Sequence, residues 1–259
     1  MSAPLLEVRD LAVGFGGHQA VRGASFTMGR ERVGLVGESG SGKSLTGRAI
    51  LRLLPPGARL RATRLAFAGI DLLAAGADDM RALRGRHLAL VLQDPKFSLN
   101  PLMPVGAQIA ECYRAHGRLS AREARKQTLA MLEAVRIREP RRVHDLYPHE
   151  ISGGMGQRVM IAMMLAGDPD LLIADEPTSA LDVTVQAQVL AVLDEQVSRR
   201  NMGLILISHD LDLVAAFCDR VLVMEQGVIV ESLAAAALDQ AQHPYTRRLL
   251  AARPRLALP

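Results

Sequence analysis

The chain predicts an α/β fold with a mainly parallel sheet covered by helices on both faces. Three observations carry that expectation. An apolar run at residues 33–36 leads straight into Gly37-Glu-Ser-Gly-Ser-Gly-Lys-Ser44 and then a helical stretch. A second apolar run, residues 171–174, ends in Asp175-Glu176. A third, residues 204–207, follows a helical pattern over residues 183–199. Near-continuous apolar strands alternating with helices belong to sheets buried on both sides.

In order along the chain, residues 5–36 are strand-rich, with turns at Gly16-Gly17 and Gly29. A helix is expected over 45–54, and Pro55-Pro56-Gly57 breaks it. Short strands near 64–68 and 88–92 flank a helix near 78–84. The texture then changes. Pro95, Pro101 and Pro104 punctuate a loop, and helical periodicity dominates 105–135. An Arg-rich stretch at 136–142 leads to Pro148, the Gly153-Gly154 pair and a helical run at 157–165. Residues from about 94 to 160 therefore read as a helical subdomain inserted into one α/β domain spanning 1–232. The remainder, 233–259, reads as a short extension, helical and then irregular.

At 259 residues the chain supports one large domain with a well-filled core. Aromatic residues are only 3%, with no Trp, so that core must be aliphatic. The net charge is a modest +4, and Lys occurs only at 43, 96 and 126. Basic residues are scattered and not interleaved with aromatics, which argues against single-stranded nucleic-acid binding. Arg122, Arg125, Arg136 and Arg138 read as solvated helix faces. Cys112 and Cys218 make neither a metal cluster nor a disulfide framework and are expected to be buried, in a reducing compartment. The first residues lack a signal-peptide core, and the longest apolar stretch, 159–167, is too short to span a bilayer. The expectation is a soluble chain that reaches a membrane only through a partner.

The chemistry starts at residues 37–44, which fit G-x-x-x-x-G-K-[ST]. Small residues let successive N–H groups turn inward around a polyphosphate at a helix N-terminus. Lys43 is expected on the β/γ-phosphates and Ser44 on Mg²⁺. A chance match is on the order of 1 in 100 for such a chain. Asp175 suits the metal side of the site, and Glu176 suits orientation or deprotonation of an attacking water. As neighbours at a strand end they should point to opposite faces. Ser152-Gly-Gly-Met-Gly-Gln-Arg158, ahead of a helical run, forms a second helix N-terminus able to accept phosphate oxygens, or else an ordinary N-cap. Gln93-Asp-Pro and His209 lie in loops.

Taken together, these motifs resemble an ATP-binding-cassette (ABC) ATPase over nearly the whole chain. Ser152, Gly153, Gly154 and Gln157 match the signature, Gln93 the Q-loop, Ser179-Ala-Leu-Asp182 the D-loop and His209 the switch histidine. Phe15 matches the aromatic that stacks on adenine. The resemblance implies a P-loop NTPase with a mixed or parallel sheet core, an N-terminal antiparallel β-subdomain and the inserted helical subdomain. It implies ATP held by Phe15, Gly37, Ser39, Gly40, Ser41, Gly42, Lys43, Ser44 and Leu45, with Mg²⁺ on Ser44, Gln93 and Asp175. Glu176 and His209 would be catalytic. Two ATPases would pair head to tail, the signature of one closing on ATP held by the other, with Asp182 communicating across the interface.

Finer stretches resemble the dipeptide, oligopeptide and nickel importer group: Gln93-Asp-Pro-Lys-Phe-Ser-Leu-Asn-Pro101, Leu146-Tyr-Pro-His-Glu150, Asp182-Val-Thr-Val-Gln-Ala-Gln188 and His243-Pro-Tyr-Thr246. The Glu38-to-Thr46 form resembles the first of two ATPases in such importers. This implies a non-identical ATPase partner, two permease subunits, an extracytoplasmic solute-binding protein and a peripheral place on the cytoplasmic face of a bacterial plasma membrane. No Cys follows Cys218, which turns the expected cargo towards nickel, a metal chelate or an opine-like solute as well as peptides. The runner-up is an ABC ATPase of a non-transport assembly such as phosphonate breakdown. Tandem cassettes and zinc insertions of nucleic-acid-linked relatives are not seen, and Glu176, His209 and the signature argue against a non-hydrolysing cassette.

Overall fold

The computed structural model describes residues 3–93, 98–117, 119–179 and 181–252. Its elements in order are β1 (Leu6–Phe15), β2 (His18–Met28), β3 (Arg32–Val36), α1 (Lys43–Ile50), β4 (Ala58–Arg61), β5 (Arg64–Phe67), β6 (Ile70–Asp71) and α2 (Ala77–Leu83). There follow β7 (Leu88–Val91), α3 (Val105–His116), α4 (Ala121–Ala134), α5 (Pro140–His144), α6 (Gly153–Leu165), β8 (Leu171–Asp175) and α7 (Val183–Arg200). The chain closes with β9 (Gly203–Ser208), α8 (Leu211–Phe217), β10 (Arg220–Glu225), β11 (Val228–Ala234) and α9 (Pro244–Ala251). Two compact units result: residues 1–80 with 203–259, and residues 81–202.

The first unit holds two sheet systems. An antiparallel sheet runs β2-β1-β5-β6, with β4 also paired to β1. Strand β1 buries Leu6, Val8, Leu11 and Val13 completely, its two-residue alternation slipping by one between Val8 and Leu11, where the register with β2 shifts. The second system runs β11-β10-β3-β9. Here β10, β3 and β9 are parallel and β11 closes the edge antiparallel. Their cores are uninterrupted apolar runs, buried from Val33 to Val36 and throughout β9, as expected of strands covered on both faces. The extension expected to be helical from 233 instead begins inside β11, which runs on to Ala234, and the tail turns helical at Ala235.

In the second unit, β7 and β8 pair in parallel, with Val91 opposite Ala174. Helices α3 to α6 fill the stretch read as helical. The helical periodicity expected over 105–135 is carried by two helices, because Ser120 starts a new one with a reciprocal capping box to Glu123. The core is aliphatic as the composition required: among the described residues, Phe67 alone is aromatic of the large side chains buried most completely. Cys218 is buried, whereas Cys112 is only half-buried. Among the described residues no helix is long and apolar enough to cross a membrane.

Candidate functional site

In the first unit the phosphate loop leaves the C-terminal end of β3 and enters α1. The helix starts at Lys43 and ends at Ile50, earlier at both ends than the expected 45–54. It starts early because Gly42, in a left-handed conformation at φ 104°, is itself the N-cap. It stops early because Arg52 takes φ 53° and Leu53 N–H reaches back to the Arg48 carbonyl. The N-terminal amides of α1 thus begin at the motif itself, where an anion is favoured.

The loop is tightly held. Ser41 N–H donates to the Glu38 carbonyl at 3.2 Å, and Thr46 Oγ1 donates to the Gly42 carbonyl at 3.0 Å. A Cβ on Gly37 would lie 2.1 Å from the Met224 carbonyl oxygen, so β10 backs the loop too closely for a side chain there. Lys43 is 5% exposed, and its ammonium donates to the carbonyls of Gly37 and Glu38, each at 2.8 Å. Ser39 and Gly40 are exposed, and Ser44 and Leu45 are half-buried. Beside Gly40 lies a cavity of about 500 Å³, lined also by His18, Gln19, Ala20, Arg22 and Gln226. Phe15, half-buried, ends β1 just before the turn that borders this cavity. His209 is exposed and follows β9, whose Ser208 is in register with Val36 of β3. The switch-histidine position and the phosphate loop therefore leave neighbouring parallel strands at the same sheet edge.

In the second unit the same logic places Gln93 and Glu176, each two residues beyond the paired Val91 and Ala174. Asp175 ends β8 and is 5% exposed. Glu176 does not continue the strand: it turns at φ 46°, so the two acids part through a left-handed turn, not through strand alternation. Gln93 Nε2 donates to Ser179 Oγ at 2.9 Å and approaches Glu176 Oε2 at 3.4 Å. The Ser179 hydroxyl closes the set by donating to the Glu176 carbonyl at 3.3 Å. Ser179 is a linking residue that motif matching alone placed only in the D-loop. The rest of the Gln93-to-Pro101 stretch is visible from Ser98; residues 94–97 lie outside the described residues, as does Ala180.

The signature helix α6 begins at Gly153, not Gln157. The reason is local: Ser152 Oγ accepts from Met155 N–H at 3.3 Å and caps the helix, with both glycines in its first turn. A cap and an anion-accepting helix end are here the same feature. Ser152 and Gly153 are exposed, while Gln157 is 1% exposed and points into the packing. Gln157 therefore does not share the helix end with Ser152. Asp182 likewise caps α7, accepting from Val185 N–H at 3.0 Å. Arg158 donates to the carbonyls of Gly154 and Arg136, and burial together with the nearby Arg138 charge pulls its pKa down.

A glycine-bound phosphate loop on a parallel sheet, an acidic pair on a second parallel pair of strands, and a capped Ser-Gly-Gly helix define an ATP-hydrolysing cassette. A family model described as ABC transporter matches residues 21–179, and the chain belongs to that family as its ATPase. The peptidoglycan transport ATP-binding protein YejF of Agrobacterium fabrum is 49% identical over 97% of this chain, and the chain spans 47% of its length. A putative peptide import ATP-binding protein of Brucella abortus is 48% identical over 98% of the chain, which spans 79% of it. Among solved structures, cbiO1 of Clostridium perfringens, part of the ABC transporter complex cbiONQ, superposes with a TM-score of 0.79 at 25% identity, covering 92% of both chains.

Proposed function

We propose that this chain is the ATPase subunit of a bacterial importer for peptide-type solutes. The observation that carries the reading is that one chain presents two helix ends built for phosphate, α1 at Lys43 and α6 behind Ser152, each in its own compact unit. A head-to-tail pair of ATPases uses both: the loop of one chain holds ATP, and Ser152, Gly153 and Gly154 of the other close on its phosphate. Phe15 and the cavity beside Gly40 take the base and sugar. Glu176, held by Gln93 and Ser179, orients the attacking water, and His209 at the phosphate-loop edge contacts the γ-phosphate. Asp182 carries the state of one site to the other.

The donors suited to Mg²⁺ are hard oxygens, as that ion requires: the Ser44 hydroxyl, the Asp175 carboxylate and the Gln93 amide oxygen. Gln93 fits because its amide nitrogen is already committed to Ser179 and Glu176, which leaves the oxygen for a cation. When bound, Mg²⁺ neutralises charge on the β- and γ-phosphates.

The subunit works peripherally on the cytoplasmic face of the plasma membrane, on two permeases, with a second, non-identical ATPase and a solute-binding protein outside. The helical stretch of about 94–160, within a cassette of 1–232, docks the permeases. Peptide-type cargo is favoured over nickel, a metal chelate or an opine because the names of both curated relatives concern peptide or peptidoglycan. Affinity purification from detergent-solubilised membranes tests the assignment. Recovery of two permeases and a second ATPase is expected. Recovery in a soluble multi-enzyme complex of the phosphonate-breakdown type overturns it.

A further inference from the structure

ATP chemistry makes no demand for His243-Pro-Tyr-Thr246, and yet the element reaches the phosphate loop. Tyr245 is 3% exposed, and its hydroxyl accepts the Glu38 backbone N–H at 2.9 Å across 207 positions of sequence. The carbonyl of the same Glu38 accepts from the Lys43 ammonium at 2.8 Å. One residue of the loop is thus tied on one side to α9 and on the other to the cation that meets the nucleotide phosphates. A second tie comes from the β10–β11 turn, where Gly227 N–H donates to the Ser41 carbonyl at 2.9 Å.

Tyr245 is itself fixed. Pro244 opens α9, and His243 caps it, its Nδ1 accepting from Tyr245 N–H at 3.3 Å. Glu231 of β11 accepts the backbone N–H groups of Gln242 at 2.6 Å and His243 at 3.3 Å, anchoring the approach to the helix. Arg248 lies 5.5 Å over the Tyr245 ring and pairs with Glu225 of β10 at 3.0 Å. His243, Pro244 and Tyr245 of the element together aim the Tyr245 hydroxyl at the loop.

We propose that Tyr245 is a positioning residue of the phosphate loop, and that α9 braces the loop so that Lys43 and the α1 amides are preset for the phosphate chain. A loop with glycines at 37, 40 and 42 has many conformations available to it, and an external tie reduces the freedom lost when nucleotide binds. The proposal rests on nucleotide binding by this loop and not on the importer reading, so it stands or falls separately.

Tyr245→Phe keeps the ring and its contact with Arg248 and removes only the hydroxyl. On the 259-residue chain we expect the Kd for Mg-ATP to rise about two- to tenfold, the span of one lost hydrogen bond. The KM for ATP should rise by the same factor with kcat held within about twofold, since the tie acts on binding. Amide exchange of Glu38 should quicken while Ala49 and Ile50 in α1 stay protected. Tyr113→Phe, which removes a hydroxyl from the second unit, should change none of these. Unchanged nucleotide affinity overturns the proposal, as does unchanged Glu38 exchange. A fall in kcat without a rise in KM, or loss of protection across α1, also overturns it by showing a general lesion of the fold.

Discussion

Glu176 illustrates how much depends on one backbone angle. Its φ of 46° is costly for a residue with a side chain, and it swings the carboxylate out of line with the buried Asp175. The Gln93–Ser179–Glu176 contacts then hold it in place. Glu176→Gln keeps the shape and the hydrogen-bonding reach but removes the carboxylate that we propose acts on the attacking water. ATP affinity should remain within about threefold, while turnover falls by about 10²- to 10⁴-fold and closed dimers accumulate. Steady-state hydrolysis with size-exclusion chromatography reads both, and unchanged hydrolysis would rule Glu176 out of the chemistry. The family motif made Glu176 legible in the sequence. Its conformation was not, because a left-handed turn after a strand leaves no mark in residues 175 and 176 alone.

Helix ends set the next scale. Ser120, Ser152 and Asp182 each accept an N–H in the first turn of the helix they precede. Ser120→Ala and Ser152→Ala should each cost about 1 kcal/mol, read as a lower urea midpoint with an unchanged m-value. Only Ser152→Ala should also lower ATPase activity in the assembled dimer, because only that helix end faces a nucleotide in our reading. Equal activity in the two variants would leave Ser152 as a cap and nothing more. The stretch from Ser152 illustrates why helix boundaries were hard to read: two glycines look like a turn by propensity, but a capped first turn tolerates them. At α1 the motif itself supplies the start, and there too the helix begins earlier than expected, at Lys43.

At the scale of the molecule, burial controls the thiols. Burial pushes Cys218 from the usual thiol value of 9.0 up to about 12, with the Asp219 charge adding to it. Burial likewise raises Cys112 from 9.0 to about 11, with help from Glu111. The native chain then keeps protons that the unfolded chain releases above pH 9, so stability must fall as pH rises from about 9 towards 11 and 12. Urea midpoints measured across that range should decline, and Cys218→Ala should make the decline shallower. An identical slope in the variant would remove Cys218 from the account. At pH 8 the Cys112 thiol should react with a disulfide reagent about a hundredfold more slowly than a free thiol, and both thiols should become reactive on unfolding.

The order of motifs by itself determined the class of this protein. Residues 37–44, Asp175-Glu176, Ser152-Gly-Gly and His209 specify chemistry through residue type and local spacing, and local spacing survives in a string of letters. The alternation of apolar runs and helices determined the α/β core for the same reason, since periodicity is also local. Which strands lie side by side was a matter for the tertiary structure. The pairing of β3 with β9 sets His209 beside the phosphate loop, and that of β7 with β8 brings Gln93 to Glu176. The tie from Tyr245 to Glu38 spans most of the chain and depends on β10, β11 and α9 all being in place. A hydrogen bond needs its atoms within about 3 Å, and only the folded chain sets such distances between residues remote in sequence.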